Sequence, residues 1–263
     1  MKKLLGFSIF LVFVLIASLT AEAKVTLPAI FSDNMVLQQN TQVNVWGKAA
    51  PGEKVTVKAS WLDKAVTAKA AANGKWTVKL KTPKAITNQS VTVSGENEIT
   101  INNVLIGEVW LCTGQSNMEF PVSRHPDVKW NTGMLNEAEE LKDADYPEIR
   151  LFHVKHQLAH EGEWDDCEGE WLVCNPKNLY DFSAVGFVFG RKLYKELKMP
   201  VGLIQSTWGG THAESWTKLD VMKKNPLYAD VLKDFALEGV KQQKNYCKVP
   251  ATLWNGMIHP ILG

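Results

Sequence analysis

Ser116 is the residue of this chain best placed for covalent chemistry. It lies in Thr113-Gly-Gln-Ser-Asn-Met118, directly after the apolar run Ile106–Cys112. A serine just past a buried strand, with Gly114 two positions earlier, can sit on a sharp turn with its hydroxyl outward. The following backbone N–H groups are then free to bind an oxyanion, as acyl transfer requires. The pattern is not the G-x-S-x-G elbow, because position 118 is Met. It also fits an ordinary turn in which Ser116 and Asn117 satisfy backbone groups. A second segment, Val201-Gly-Leu-Ile-Gln-Ser-Thr-Trp-Gly-Gly-Thr211, likewise runs from apolar residues into glycine. Paired glycines let a backbone approach a ligand closely, and they also make plain tight turns.

Other groups are weaker candidates. His153, His156 and His160 stand at spacings of 3 and 4, which on a helix could gather imidazoles around a metal. Arg150–Val154 reads as strand, however, and no carboxylate completes a zinc-protease arrangement. Solvated or hydrogen-bonded histidines are the better reading, with no metal. Glu163-Trp-Asp-Asp166 pairs carboxylates in a polar loop, where solvation is expected. His125 and His212 follow the two glycine loops and could line a pocket. Trp208 and Trp216 flank Gly209-Gly210 and could stack a sugar ring; core packing is the simpler expectation for each.

These residues need elements to hold them. Ile106–Cys112 and Val201–Gln205 read as short buried strands, each running into a glycine loop, and Leu151–Val154 as a weaker third. Ser183–Lys198 reads as a helix capped by Asp181 or Ser183, with Val185, Val188, Phe189, Leu193 and Leu197 as its apolar stripe. Met199-Pro200 stops it before the next strand. Helix, short loop, strand and glycine loop describe an open α/β sheet with sites at strand C-termini. Before Val104 the rhythm is all-β. Gln42–Trp46, Lys54–Lys58, Lys75–Leu80, Val91–Val93 and Ile99–Ile101 alternate polar with apolar, and turn signals at Ala50-Pro-Gly52, Asn73-Gly74 and Ser94–Asn97 separate them. That region predicts a small sandwich over 24–104, followed by an α/β domain over 105–263.

Composition narrows the partners. Of 263 residues, 45% are hydrophobic and 22% charged, an ordinary globular mix. Lys2 and Lys3 precede an almost unbroken apolar run, Leu4–Leu19, and Ala21-Glu-Ala23 is a small-x-small cleavage site. Residues 1–23 therefore read as a secretory signal peptide, and the expected location is periplasmic or secreted. No second apolar run approaches that length, so no membrane association is expected after cleavage. Residues 24–263 carry no formal net charge, so nucleic acid drops out as a leading partner. Cys112, Cys167, Cys174 and Cys247 are too few for a disulfide scaffold and form no CxxC pair. Cys167 and Cys174 could bridge a hairpin; Cys112 is expected simply to be buried.

Taken together the segments resemble the sialate O-acetylesterase family of SGNH (GDSL-like) esterases. The resemblance is carried by Gly107-Glu-Val-Trp-Leu-Cys-Thr-Gly-Gln-Ser-Asn-Met-Glu119, Phe182–Gly190, Gly202–Thr211 with Glu214-Ser-Trp216, Ala251–Pro260 and the opening Pro28–Gln38. It covers nearly all of 24–263, in order. It implies an SGNH-type three-layer α/β/α domain behind the sandwich and no cofactor. Ser116 would be the nucleophile and donate its own N–H to the oxyanion. Gly210, or else Gly209, would be the second donor, and Gln115 and Asn117 would border the substrate. The resemblance also implies a Gln-Gly-Glu block and a downstream Asp-x-x-His pair that supplies the general base. Neither occurs here, and it places His259 in a structural turn. A serine hydroxyl needs a base to attack an ester at useful rates. The expectation is a C-terminally truncated sequence with an incomplete sheet, about three strands where five belong, and little turnover by itself.

The function implied is hydrolysis of O-acetyl esters on sugars, with O-acetylated sialic acid first and acetylated xylan or another acetylated glycan as the alternative. A reading from another class is a non-catalytic glycan-binding protein, with sugar held by the sandwich and the Trp-rich loops.

Overall fold

Strict alternation builds the N-terminal layers. In the computed structural model, which describes residues 24–125, 133–238 and 246–263, the strand Lys75–Lys81 buries every second residue. The expected signal peptide at 1–23 lies outside the described residues. In chain order the strands are β1 (Val36–Gln38), β2 (Gln42–Lys48), β3 (Lys54–Ala59), β4 (Val66–Lys69), β5 (Lys75–Lys81), β6 (Ile86–Ser94) and β7 (Glu98–Gly114). There follow α1 (Ser116–Glu119), α2 (Glu137–Lys142), β8 (Tyr146–His153), β9 (Trp171–Cys174), α3 (Pro176–Leu179), α4 (Ala184–Leu197) and β10 (Val201–Thr207).

β2 and β5 form a two-stranded antiparallel layer. Its Val45, Trp76, Val78 and Leu80 share one core with Val55, Val57, Val91 and Val93 of β3 and β6. The opposite layer is not closed off. It belongs to an eight-stranded sheet ordered β4-β3-β6-β7-β10-β8-β9, with β1 also on β7. The hinge of this arrangement is β7, 17 residues long. Its first half pairs antiparallel with β6, and residues 108–114 pair parallel with β10. Ile99–Ile101 and Ile106–Cys112, read above as separate strands, are thus one strand. The α/β part has four strands rather than three, since β9 adds antiparallel to β8.

β8 and β10 are buried on both faces. Phe152, Val154 and Ile204 join the sandwich core on one side. Ile149, Leu151, Val201 and Leu203 pack on the other beneath Phe182, Ala184 and Phe187. Cys167 belongs to the first cluster and Cys174 to the second, and all four cysteines are free. The hairpin bridge suggested by their spacing is therefore not formed.

α4 starts where expected, capped by the Ser183 hydroxyl, which accepts the Gly186 N–H at 3.0 Å. It ends at Lys198 in the left-handed conformation, before Met199-Pro200. Its buried face differs from the predicted stripe. Ala184, Gly186, Phe187 and Gly190 face the sheet, whereas Val185, Val188, Phe189 and Leu197 are exposed. The glycines decide this: a Cβ on Gly190 would stand 2.5 Å from Leu203, and one on Gly186 would stand 3.1 Å from Cys112 Sγ. At these two positions the helix lies too close to the sheet for a side chain. Leu193 of the predicted stripe still packs against the core, while the others turn outward, where Phe189 meets Trp110 edge-on at 5.0 Å.

Polar contacts, one of them buried, tie the two parts together. Arg150, 4% exposed, donates to Pro147 O at 2.9 Å and to Asn34 Oδ1 at 3.1 Å, which ties β8 to the loop before β1. Asp165 pairs with Lys75 and, at 3.1 Å, with Lys48, while Asp166 accepts the Ala29 N–H at 2.8 Å. The Glu163–Asp166 carboxylates are thus engaged rather than merely solvated. Beyond β10 lie α5 (Leu219–Lys223) and α6 (Ala229–Glu238). Among the described residues no helix is long and apolar enough to cross a membrane.

Candidate functional site

Three parallel strands end at one rim, and the chemistry-bearing residues gather there. β7 delivers Gly114 with φ +150, a conformation that favours glycine, and the chain then turns into α1. Ser116 is the first residue of α1 and is exposed, as are Gln115 and Asn117. Gly114 through Met118, with Val185 of α4, line a cleft of about 510 Å³. The Phe120 N–H donates to Ser116 O at 3.0 Å, and the Ala184 N–H donates to Phe120 O at 2.8 Å, so α1 is fastened to the start of α4.

The loop after β10 packs against this turn. The Trp208 N–H donates to Gly114 O at 3.1 Å, and Gln115 Nε2 donates to Thr211 O at 3.3 Å. A Cβ placed on Gly209 would lie 3.3 Å from Ser116 Oγ and 2.7 Å from Glu119 Oε2. Gly209 therefore faces both residues, and a side chain there would intrude on them. Gly210 has φ +71 with open space around it. The structure thus brings together Ser116, Gly209, Gly210, Gln115 and Asn117, the residues singled out from sequence.

Two further residues complete the rim. Glu119 Oε2 accepts the Gly209 N–H at 2.6 Å, and its Oε1 lies 2.8 Å from His156 Nε2. The His156 ring stacks on Trp208 at 4.0 Å with 4° between planes. Burial pushes the Glu119 carboxyl up, but the hydrogen bonds from His156 and Gly209 outweigh it and hold the group below the usual carboxylate range. His153 ends β8 nearby. Burial, aided by neighbouring His156, holds its imidazole below the ordinary histidine range against the pull of Asp181 and Glu119. Sequence reasoning assigned no role to Glu119 and weighed His156 only as a metal ligand. Glu119 had one legible signal: three residues after Ser116 on a helix, it emerges on the same side.

The other candidates lie elsewhere or are engaged. His160 Nδ1 meets Thr252 Oγ1 at 3.2 Å, and among the described residues no three His, Cys, Asp or Glu side chains gather as a metal set. His259 Nδ1 meets Trp164 O at 2.9 Å and its Nε2 meets Glu163 at 3.3 Å, in a cluster with Lys218 and Trp254. His125 pairs with Asp181 at 2.5 Å, and His212 is exposed ahead of the turn Ala213–Trp216. Trp216 Nε1 donates to Thr211 Oγ1 at 2.9 Å, and both Trp208 and Trp216 pack against the sandwich core.

Comparison with known proteins identifies the family. Residues 106–256, from the body of β7 to past the glycine loops, match the family profile described as carbohydrate esterase, sialic acid-specific acetylesterase. The sialate O-acetylesterase of Mus musculus is 30% identical over 273 residues, covering 89% of this chain and 49% of that protein. The Homo sapiens sialate O-acetylesterase is 30% identical over 251 residues, covering 88% and 45%. The crystal structure of a carbohydrate acetylesterase from Xanthomonas citri superposes with a TM-score of 0.74 at 30% identity, covering 90% of this chain and 48% of that one. The fold is that of a family of carboxylic ester hydrolases. This chain belongs to the sialic acid-specific acetylesterase family of carbohydrate esterases. It spans about half the length of the curated relatives it matches.

Proposed function

We propose that the full-length protein hydrolyses O-acetyl esters on sugars, with O-acetylated sialic acid as the first substrate and Ser116 as the nucleophile. The observation that carries this reading is the exposed Ser116 at the head of α1, facing the Gly209-Gly210 loop in the region that matches the family. In this scheme Ser116 Oγ attacks the acetyl carbonyl carbon and the carbonyl electrons move onto oxygen. The oxyanion is held by the N–H groups of Ser116 and Gly210, since the Gly209 N–H already donates to Glu119. Collapse releases the sugar hydroxyl and leaves acetyl-Ser116. Water then frees acetate. Gln115 and Asn117, beside the serine, border the sugar.

The proton of Ser116 needs an acceptor. The resemblance assigns that role to an Asp-x-x-His pair, and no such pair occurs in these 263 residues. The proposal places it in the part of the protein that corresponds to the other half of the relatives. Residues 24–263 by themselves are accordingly expected to release little acetate.

The test is acetate release by the full-length protein from O-acetylated N-acetylneuraminic acid and, separately, from acetylated xylan. Faster release from the sialic acid supports the substrate assignment, and faster release from xylan replaces it. Failure of a fluorophosphonate probe to label Ser116 would favour a glycan-binding protein without catalysis. We also propose that the protein is exported and cleaved after Ala23. The mass of the mature chain should then begin at Lys24, and a retained Met1 would refute export by this route.

A further inference from the structure

We propose that Glu119 is a positioning residue for the glycine loop opposite Ser116, with His156 holding its carboxylate in place. The proposal rests on the reading of Ser116 as the nucleophile, and it adds a group that acts through the backbone rather than on the substrate.

The argument begins with where the two carboxylate oxygens go. Glu119 Oε2 accepts the Gly209 N–H at 2.6 Å. Glu119 Oε1 lies 2.8 Å from His156 Nε2, and the same nitrogen lies 3.0 Å from Thr207 O. Both neighbours of Nε2 are acceptors, so Nε2 carries the hydrogen and donates. The imidazole lies flat on Trp208. Glu119 thus takes hold of the loop directly at Gly209 and, through His156, at Thr207 and Trp208. These three residues link β10 to Gly210.

The placement is costly without a purpose. A carboxylate next to Ser116 opposes the negative charge that develops on an ester oxygen, and active sites ordinarily aim donors there. Here both oxygens of Glu119 are occupied by donors, the Gly209 N–H and His156 Nε2. Charge-assisted bonds to a backbone N–H are shorter and stronger than neutral ones, so this contact fixes the loop more firmly than a turn would. Other titratable groups lie around the pair: His153 at the end of β8, with Asp181 and Lys155 near it. With the Gly209 N–H held on Glu119, the Gly210 N–H is the loop donor assigned to the oxyanion in the scheme above. The open space around Gly210 is where an acyl oxygen could lie.

The experiment uses the full-length protein with p-nitrophenyl acetate as substrate and Ser116→Ala as the blank. Glu119→Gln keeps the size and an acceptor oxygen but loses the charge; His156→Phe keeps the stack on Trp208 but loses the donor. Glu119→Gln is expected to lower kcat by about 10- to 100-fold, the order of effect that misplacing a catalytic group produces, with KM and melting temperature nearly unchanged. His156→Phe is expected to move kcat in the same direction by less. The Gly209 amide resonance in the ¹H–¹⁵N spectrum is expected to move upfield in Glu119→Gln, and in the wild type to titrate only below the usual carboxylate range. Wild-type kcat in Glu119→Gln, with Ser116-dependent turnover intact, would overturn the positioning role and leave the nucleophile standing. A Gly209 resonance unmoved by the substitution would overturn it as well. Wild-type protein without Ser116-dependent turnover would instead overturn the nucleophile reading, and the positioning role with it.

Discussion

Replacing Ser116 with alanine in the full-length protein is expected to reduce acetate release by at least about a thousandfold, since a triad nucleophile acts as a unit with its partners. What remains is the rate that oxyanion donors and binding sustain without a nucleophile. Stability should hardly change. The Ser116 side chain is exposed at the first position of a four-residue helix, and alanine is the best helix former. The hydrogen bond from Ser116 into α1 is made by its backbone oxygen, which alanine retains. Acetate release and thermal melting on the same preparation separate the two effects. A variant that keeps more than about a tenth of the wild-type rate would show that another group attacks the ester.

The second large effect is expected far from the cleft. Gly107→Ala should destabilise the fold by about 3 kcal/mol or more, at or above the top of the usual range for overpacking. A Cβ there would stand 2.1 Å from Pro200 O and 2.7 Å from Pro200 C. Both are backbone atoms, so no rotamer change relieves the contact. Nor can β7 retreat: Gln38 of β1 lies opposite Gly107, and the Gln39 N–H donates to Gly107 O at 2.8 Å. On the other side the Glu108 N–H donates to Pro200 O at 2.9 Å. Gly210→Ala is the control. It meets no atom within 4 Å and carries only the backbone cost of φ +71, about 1–2 kcal/mol. Urea titration of the two variants should rank Gly107→Ala well below Gly210→Ala. Equal midpoints would mean that the junction of β1, β7 and the Pro200 turn is looser than its distances indicate.

Much of this architecture is legible in the chain because the relevant signals are local. Period-2 alternation finds β2, β3 and β5, and the Ser183 cap with Met199-Pro200 brackets α4. The motif around Ser116 and the paired glycines locate one half of the rim. Three things escape. The polar pair Asn102-Asn103 interrupts the alternation of β7, so one strand reads as two. The buried face of α4 is set by the absence of side chains at Gly186 and Gly190, which a hydrophobic pattern does not register. Glu119 and His156 are 37 positions apart in sequence. They meet because β8 and β7 both flank β10, and nothing local announces that neighbourhood.

The interruption at Asn102-Asn103 has a counterpart. Between Val91↔Ile101 and Gln89↔Val104, β7 uses one residue more than β6; between Gln89↔Val104 and Ile86↔Ile106, β6 uses one more than β7. Asn103 and Asn88, one in each excess, both have positive φ. The two bulges cancel. Because successive side chains point to opposite faces, one unmatched residue would put the rest of β7 out of phase. Cys112 would swing from the α4 side toward the sandwich side, and the turn bearing Ser116 would swing with it. The aim of the serine is thus set in part by two asparagines a dozen or more residues upstream. Losing Asn103 alone should misdirect it, and removing Asn88 together with Asn103 should bring it back into phase.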